Sequence, residues 1–314
     1  MTRPLRLVWV YPDLLSTYGD RGNVLVLERR ARLRGIPVEV IEVNSDQQVP
    51  RDGDIYTMGG GEDLPQTLAT RRLLADGGLH AAADRGAVVF AVCAGYQMIG
   101  IQFGGVDDAP VQGLGLLDIR SGRGERRAVG EIVADVDPGL NVGRLTGFEN
   151  HQGVTRLGPG VRPLARTEIG TGNGDGTEGS YAGRVLGTYL HGPALVRNPN
   201  LADLLLFWAV GPLPPFPPEA EELAKRLRAE RLAAVLPQLS SSGRRVSSGG
   251  RFSAARDASA RDASARKASA RKASARKASA RKASARDASG GASTRAPARR
   301  PRRPRPRTSP SQRS

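Results

Sequence analysis

The strongest constraint on the fold is a change of composition at Pro237, which divides the chain into two unlike parts. Residues 255–289 repeat Ala-Arg-Lys-Ala-Ser or Ala-Arg-Asp-Ala-Ser every five residues, and an Arg- and Pro-rich segment follows at 295–307. A five-residue period matches neither a helix nor a strand, and large apolar residues are nearly absent. We expect residues 237–314 to be a disordered tail, which confines the folded part to residues 1–236.

The charge divides at the same point. Residues 237–314 hold 22 basic and 3 acidic residues, whereas residues 1–236 hold 25 basic and 28 acidic ones. A mildly acidic body excludes a uniformly basic nucleic-acid-binding fold. The basic tail is either a solvated extension or makes weak, salt-sensitive contact with anionic surfaces. No aromatic residue is interleaved with its repeats to stack on bases, so we predict no specific nucleic-acid partner.

The cysteine and histidine content limits the chemistry available to the body. Cys93 is the one cysteine, which excludes an internal disulfide, and with three histidines we predict no metal site. No stretch approaches the roughly 20 apolar residues of a membrane span, and the N-terminal apolar run is too short for a signal peptide. We therefore expect a soluble, cytoplasmic protein.

The pattern of apolar runs predicts an α/β fold. Strands are predicted at 5–11, 38–43, 54–58 and 87–92, with helices at 22–34, 66–75 and 78–84 between them. This alternation predicts one domain with a central, mostly parallel sheet flanked by helices. Further strands at 114–119, 129–133, 145–148 and 185–189, and a helix at 200–210, complete a domain over 1–212. A proline-rich break and a charged amphipathic helix at 219–236 make up residues 213–236.

Cys93 lies where an apolar strand runs into two small residues and then a helix. This order predicts the sharp strand–turn–helix elbow on which α/β enzymes present a nucleophile. A helix N-terminus also favours a thiolate. The motif alone leaves open that the cysteine is simply a small buried apolar residue.

His191 follows the predicted strand 185–189. Because sites in parallel sheets form beyond the carboxyl ends of the strands, it can meet Cys93 and act as its base; the alternative is a structural histidine. We expect His151 to line the pocket or support its wall, and His80 to lie at the surface. A glycine triplet at 59–61 follows the third strand, so one N–H of the triplet, with that of Ala94, could form an oxyanion hole. A plain turn is the other interpretation of the triplet.

Five segments together resemble the class I (triad-type) glutamine amidotransferases. Their residues are 18–23 (Tyr-Gly-Asp-Arg-Gly-Asn), 58–63 (Met-Gly-Gly-Gly-Glu-Asp), 92–97 (Val-Cys-Ala-Gly-Tyr-Gln), 147–153 (Gly-Phe-Glu-Asn-His-Gln-Gly) and 187–193 (Gly-Thr-Tyr-Leu-His-Gly-Pro). The chain is similar over about residues 5–210 to the cobyric-acid-synthase-like branch. Within that branch it looks most like the glutaminase subunits of lipid II isoglutaminyl synthases.

The resemblance implies an activity and roles for named residues. The Cys93 thiolate would attack the side-chain amide of L-glutamine, His191 would pass a proton to the departing ammonia, and water would hydrolyse the thioester. Arg127 would clamp the substrate carboxylate, although its neighbour Arg126 or a merely solvated arginine are alternatives. Gly60, Ala94 and Gln97 would lie at the substrate.

One position departs from the wider superfamily. Most triad-type members carry a glutamate two residues after the histidine, but Gly192 and Pro193 follow His191 here. The resemblance makes Asp20 the candidate third member of the triad. Its alternative role is to cap the N-terminus of the helix predicted at 22–34.

The resemblance also implies a partner. The sequence has no Gly-x-x-x-x-Gly-Lys-Ser/Thr loop, so we expect no cofactor on this chain, with ATP bound by a Mur-ligase-like partner subunit. That heterodimer would amidate the D-glutamate α-carboxyl of the lipid II stem peptide. The alternatives are the glutaminase of a cobalamin-type amide synthase, which usually carries its ATP-binding domain in the same chain, and a non-catalytic scaffold of the same fold.

Overall fold

The computed structural model describes residues 3–17 and 19–235. The predicted disordered tail, 237–314, and residue 236 of the last predicted helix lie outside the described residues. In chain order the elements are β1 (Leu5–Val10), α1 (Arg21–Leu33), β2 (Val38–Val43), β3 (Ile55–Met58), α2 (Asp63–Asp76), α3 (Gly78–Asp84), β4 (Val88–Val92), α4 (Ala94–Met98), β5 (Gln102–Gly104), β6 (Pro110–Gln112), β7 (Ile119–Val136), β8 (Arg144–Leu157), β9 (Arg162–Ile169), β10 (Thr177–Ala182), β11 (Val185–Thr188), α5 (Ala194–Arg197), α6 (Pro199–Val210) and α7 (Pro218–Val235).

The strands form one sheet whose first half is parallel. Its order is β2-β1-β3-β4-β11, and each neighbouring pair in that stretch is parallel. All five residues of β4 are buried, as expected for a strand with helices on both faces. The predicted α/β fold with a mostly parallel central sheet is confirmed.

The second half of the sheet is mainly antiparallel. From β11 it continues through β10, β9 and β7 to β5 and β6, while β8 forms a long hairpin with β7. The predicted strands 129–133 and 145–148 are parts of this hairpin, which is far longer than expected. The prediction of a strand at 114–119 is wrong, because only residue 119 belongs to a strand, which is β7.

Helix α1 shows why the helices lie where they do. Its buried residues, Asn23, Val24, Leu27 and Ala31, recur every three or four positions and so share one face. Gly35, with a φ of 75°, adopts the left-handed conformation just after the helix. Arg30 of the helix and Arg34 just after it, both largely buried, pair with Asp203 of α6 at 2.6 and 2.8 Å.

The C-terminal helix is less embedded than the others. Val235 is its one buried residue within the described part, and Leu223 and Leu227 are 47% and 56% exposed. Arg228 ties the helix to the body by donating to the carbonyl oxygens of Arg197 and Arg144. Among the described residues, no helix has both the length and the apolar character needed to cross a membrane.

Candidate active site

Cys93 stands at the sharp turn between β4 and α4. Its φ of 54° is unusual for a residue with a side chain, and the helix begins at the next residue, Ala94. The Cys93 N–H donates to the Thr188 carbonyl of β11 at 2.9 Å, so the turn is fixed to the neighbouring strand. This is the strand–turn–helix elbow that the sequence predicts, with a side chain that is 7% exposed.

His191 lies three residues beyond the end of β11, and the structure brings it to Cys93. Two backbone hydrogen bonds with Phe148 of β8, at 3.1 and 2.8 Å, hold its main chain. Its imidazole interacts electrostatically with the Cys93 side chain, and this interaction favours the protonated ring by raising the pKa of His191. A methyl group built on Gly60 would lie 3.0 Å from His191 Cε1 and 3.5 Å from Cys93 Cβ, so this glycine leaves the space in which the two side chains meet.

Asp20 supports the imidazole from behind. Its Oδ1 lies 3.4 Å from His191 Nδ1, and both side chains are almost fully buried. The carboxylate makes no capping hydrogen bond to α1, so of its two predicted roles the geometry favours the contact with the histidine. Burial opposes protonation of His191, but the hydrogen bond with Asp20 and the interaction with Cys93 outweigh it and raise the pKa of His191 to about 10.

Gly60, which we expected at the substrate, does not supply an N–H to the predicted oxyanion hole. Its N–H donates to Asp20 Oδ2 at 2.6 Å and is therefore not available to a substrate oxygen. The next residue, Gly61, lines the cavity beside Cys93, as does Ala94. Within residues 3–17 and 19–235 neither the Gly61 nor the Ala94 N–H has an acceptor, so these two are the candidate donors.

Cys93 lines a cavity of about 140 Å³ whose other lining residues include glycines, amides and charged side chains. The described residues that line it are Gly61, Glu62, Asp63, Gln66, Cys93, Ala94, Gln97, Gly104, Gly122, Arg123, Arg127, Asn150, His151, Gln152 and Gly153. Gln97 lines it as predicted, held by Gln66 and the Tyr189 hydroxyl at 2.9 and 3.2 Å. Carboxylates and guanidinium groups at one cavity suit a zwitterionic amino acid.

A bulge in β7 carries the predicted substrate arginine. The pairing with β8 shifts between Arg123 and Ala128, so that residues 124–127 stand opposite Gln152 alone. Arg127 lines the cavity and donates from Nε to Asn150 Oδ1 at 2.8 Å. Arg126 is not among the described residues that line it, so the geometry favours Arg127 of the two.

Arg123, which was not predicted from the sequence, is a second arginine that lines the cavity. Its guanidinium donates to Gln152 Oε1 and Asp63 Oδ2, both at 3.1 Å. No spacing in the sequence signals this role, because the bulge between Arg123 and Ala128 breaks the regular alternation of side chains along β7.

The other two histidines have defined partners. His151 is buried, lines the cavity and stacks on Tyr189, with ring centroids 3.8 Å apart. Its Nδ1 donates to the Gly153 carbonyl at 2.9 Å, so it both lines and supports the wall. His80 is half-buried rather than at the surface, since its Nε2 hydrogen-bonds to the Leu114 carbonyl at 2.7 Å.

The chain is similar in sequence to several curated proteins. The chain is 38% identical over 198 residues to the GatD subunit of the glutamine-hydrolysing lipid II isoglutaminyl synthase of Staphylococcus aureus (strain N315), covering 62% of this chain and 79% of that protein. It is 32% identical over 215 residues to the same subunit of Streptococcus pneumoniae (strain ATCC BAA-255 / R6), covering 66% and 80%. A cobyric acid synthase of Sphingopyxis alaskensis (strain DSM 13593 / LMG 18877 / RB2256) is 32% identical over 177 residues, covering 54% of this chain and 34% of that protein.

A family model places the chain directly. The model for CobB/CobQ-like glutamine amidotransferase domains matches residues 6–199, which span the elbow, the glycine triplet, the β7–β8 hairpin and His191. This match covers more than half of the chain. The chain therefore belongs to the family of CobB/CobQ-like glutamine amidotransferase domains.

Proposed function

We propose that this chain is the glutaminase subunit of a lipid II isoglutaminyl synthase and supplies ammonia to an ATP-dependent partner. The observation that carries the proposal is the position of Cys93 at the cavity, beside the buried pair of His191 and Asp20. The two relatives that are subunits of glutamine-hydrolysing lipid II isoglutaminyl synthases support the finer assignment. Family membership makes the chain a glutamine-hydrolysing enzyme subunit.

The geometry supports a thioester mechanism. Cys93 Sγ attacks the amide carbon of glutamine, and the negative charge on the amide oxygen is stabilised by the N–H groups of Ala94 and Gly61. The protonated His191 gives its proton to the leaving nitrogen, which departs as ammonia. Water then attacks the thioester, His191 takes a proton from it, and glutamate leaves. Asp20 keeps the imidazole oriented throughout.

Binding of glutamine uses the charged groups of the cavity. The Arg127 guanidinium pairs with the α-carboxylate, and the carboxylates of Glu62 and Asp63 offer partners for the α-ammonium group. These contacts place the side-chain amide toward Cys93. The ammonia passes to a Mur-ligase-like subunit of a cytoplasmic heterodimer, where it converts the ATP-activated α-carboxyl of D-glutamate in the stem peptide to an amide.

The test is ammonia release from glutamine by the chain alone and with a Mur-ligase-like partner. Cys93→Ala should lower the rate by at least about a thousandfold, because the nucleophile is lost. His191→Ala should lower it strongly as well, while the matched control His80→Ala should retain it, because His80 lies outside the cavity. Unchanged ammonia release by Cys93→Ala would contradict the mechanism.

A second candidate is the glutaminase of a cobalamin-type amide synthase, because cobyric acid synthases are also relatives. The acceptor separates the two functions. Amidation of lipid II by the chain and its partner supports the first, whereas amidation of a cobyrinic acid carboxylate in its place supports the second.

A further inference from the structure

Glu178 is a fully buried carboxylate next to the active site that the mechanism above does not use. It lies on β10, beside β11, and none of its surface is exposed. Its Oε1 accepts hydrogen bonds from the Thr188 hydroxyl and from the Tyr189 N–H, the latter at 3.0 Å. The Thr188 hydroxyl oxygen in turn accepts the Leu190 N–H at 3.1 Å. The carboxylate thus holds Thr188 and Tyr189 directly and Leu190 through the Thr188 hydroxyl, and His191 is the next residue.

The same segment also holds the nucleophile. The Thr188 carbonyl accepts the Cys93 N–H at 2.9 Å, so Thr188 is joined to Glu178 by its side chain and to Cys93 by its main chain. Its neighbour Tyr189 stacks on the cavity residue His151. Any shift of residues 188–190 therefore moves the thiol and the imidazole relative to each other.

Burying this carboxylate costs free energy. Burial raises the pKa of Glu178 to about 7, and the charge of Glu149 on β8 adds to the rise, while the bonds from Thr188 and Tyr189 act against it. Tyr96 of α4 also interacts with this carboxylate: burial is the main cause that raises the pKa of Tyr96, and the charge of Glu178 adds to the rise. A leucine of similar size would fill the site without this cost, so the carboxylate needs a reason beyond packing.

We propose that Glu178 is a positioning residue: it fixes the Thr188–Leu190 backbone so that the His191 imidazole meets the Cys93 thiol. This inference deepens the proposed function and rests on it for the roles of that pair. Gly192 and Pro193 follow His191 in the sequence, and neither carries a carboxylate. Glu178 acts from the other side of the histidine, through the backbone that leads to it.

The first experiment measures alkylation of Cys93 by iodoacetamide in the full chain, where it is the one cysteine. Glu178→Leu should slow alkylation at neutral pH by at least about tenfold, because the imidazole no longer assists the thiol. Glu178→Gln should stay within about threefold of the wild type, since an amide oxygen can accept both hydrogen bonds. This rescue by a conservative variant separates positioning by hydrogen bonds from an effect of charge.

Thr188→Val provides a second test in case Glu178→Leu does not fold. It removes the hydroxyl that joins Glu178 to Leu190, so it should also slow alkylation of Cys93, as Glu178→Leu does. Thr146→Val is the matched control: Thr146 is equally buried, on β8, and its hydroxyl has no hydrogen-bond partner among the described residues. Circular dichroism establishes that each variant is folded.

Steady-state kinetics give an independent readout. Neither Glu178 nor Thr188 lines the cavity among its described residues, so kcat for glutamine should fall by about the same factor as alkylation, with KM within about twofold. Folded Glu178→Leu and Thr188→Val proteins with wild-type alkylation would overturn the proposal, as would a Glu178→Gln variant as slow as Glu178→Leu. If the wild type hydrolysed no glutamine, the proposed function would fail while the alkylation series still decided the role of Glu178.

Discussion

At the scale of single residues, the site depends on conformations and charges that are costly elsewhere in a protein. The positive φ of Cys93 stores on the order of 1–3 kcal/mol, which its fixed position between β4 and α4 has to offset. In return the thiol projects into the cavity at a helix N-terminus. His191 and Asp20, both buried, would be equally costly if either stood alone.

The arginine on the β7 bulge gives a residue-scale prediction about substrate binding. Arg127→Ala should raise KM for glutamine by about ten- to a hundredfold with a smaller change in kcat, because a charge-assisted pair with the α-carboxylate is lost. Arg126→Ala is the matched control, with the same change one position away and outside the cavity lining. Equal effects of the two variants on KM would contradict the assignment.

The charge of His191 makes stability depend on pH. Its pKa is raised in the folded state from 6.5 to about 10, so the imidazolium stabilises the fold fully below about pH 6.5, and this gain is lost as pH rises toward 10. The free energy of unfolding of the wild type should therefore exceed that of His191→Asn most at low pH, with the difference shrinking by pH 10.

Urea denaturation at several pH values measures this difference. Asp20→Asn should flatten the trend, because the hydrogen bond that His191 donates to Asp20 is the leading contribution that raises the pKa of His191. If the difference in unfolding free energy between the wild type and His191→Asn grew between pH 6.5 and 10, the predicted pH dependence would be wrong.

At the scale of elements, the close approach of β11 to α4 sets the distance between the two catalytic segments. Gly187 is the residue of β11 on which Tyr96 of α4 packs, and a methyl group there would lie 1.9 Å from the Tyr96 ring. Because α4 begins directly after Cys93 and β11 leads to His191, this contact links the two elements that carry the pair.

Gly187→Ala should therefore destabilise the protein by about 1–3 kcal/mol and lower kcat, since Tyr96 has to move. Gly130→Ala on β7 is the control, because a methyl group at Gly130 meets no atom within 4 Å. Thermal unfolding and glutamine turnover of the two variants provide the comparison. A Gly187→Ala protein as stable as Gly130→Ala would show that the packing tolerates the methyl group.

At the scale of the whole molecule, charge is divided between a mildly acidic body and a tail with 22 basic residues. We expect the full chain to bind vesicles with about 30% anionic lipid at low salt and to dissociate near 0.5 M salt (about a 4 Å screening length). A chain ending at Leu236 should lose this binding and retain glutamine hydrolysis. Vesicle sedimentation measures the first and ammonia release the second; binding by the shortened chain would place the contact in the body.

The sequence alone carried enough to predict the parallel half of the sheet and the residues that meet at its edge. Strands such as 88–92 are continuous apolar runs, and the carboxyl ends of parallel strands necessarily lie together, so Cys93 and His191 could be paired across 98 positions. The local sequence was sufficient to predict this pair because each of the two motifs follows directly after its strand.

Only the tertiary structure decided the partners that depend on distance through space. No local pattern shows that the Gly60 N–H is taken by Asp20, that a bulge turns Arg127 and not Arg126 to the cavity, or that Glu178 reaches Thr188. Strands β9 and β10 escaped prediction because their stability comes from cross-strand neighbours rather than from an apolar run. The sequence determined which chemical groups the protein has at its active edge, and packing determined which of them touch, because hydrogen bonds and burial are properties of pairs that the chain brings together only when folded.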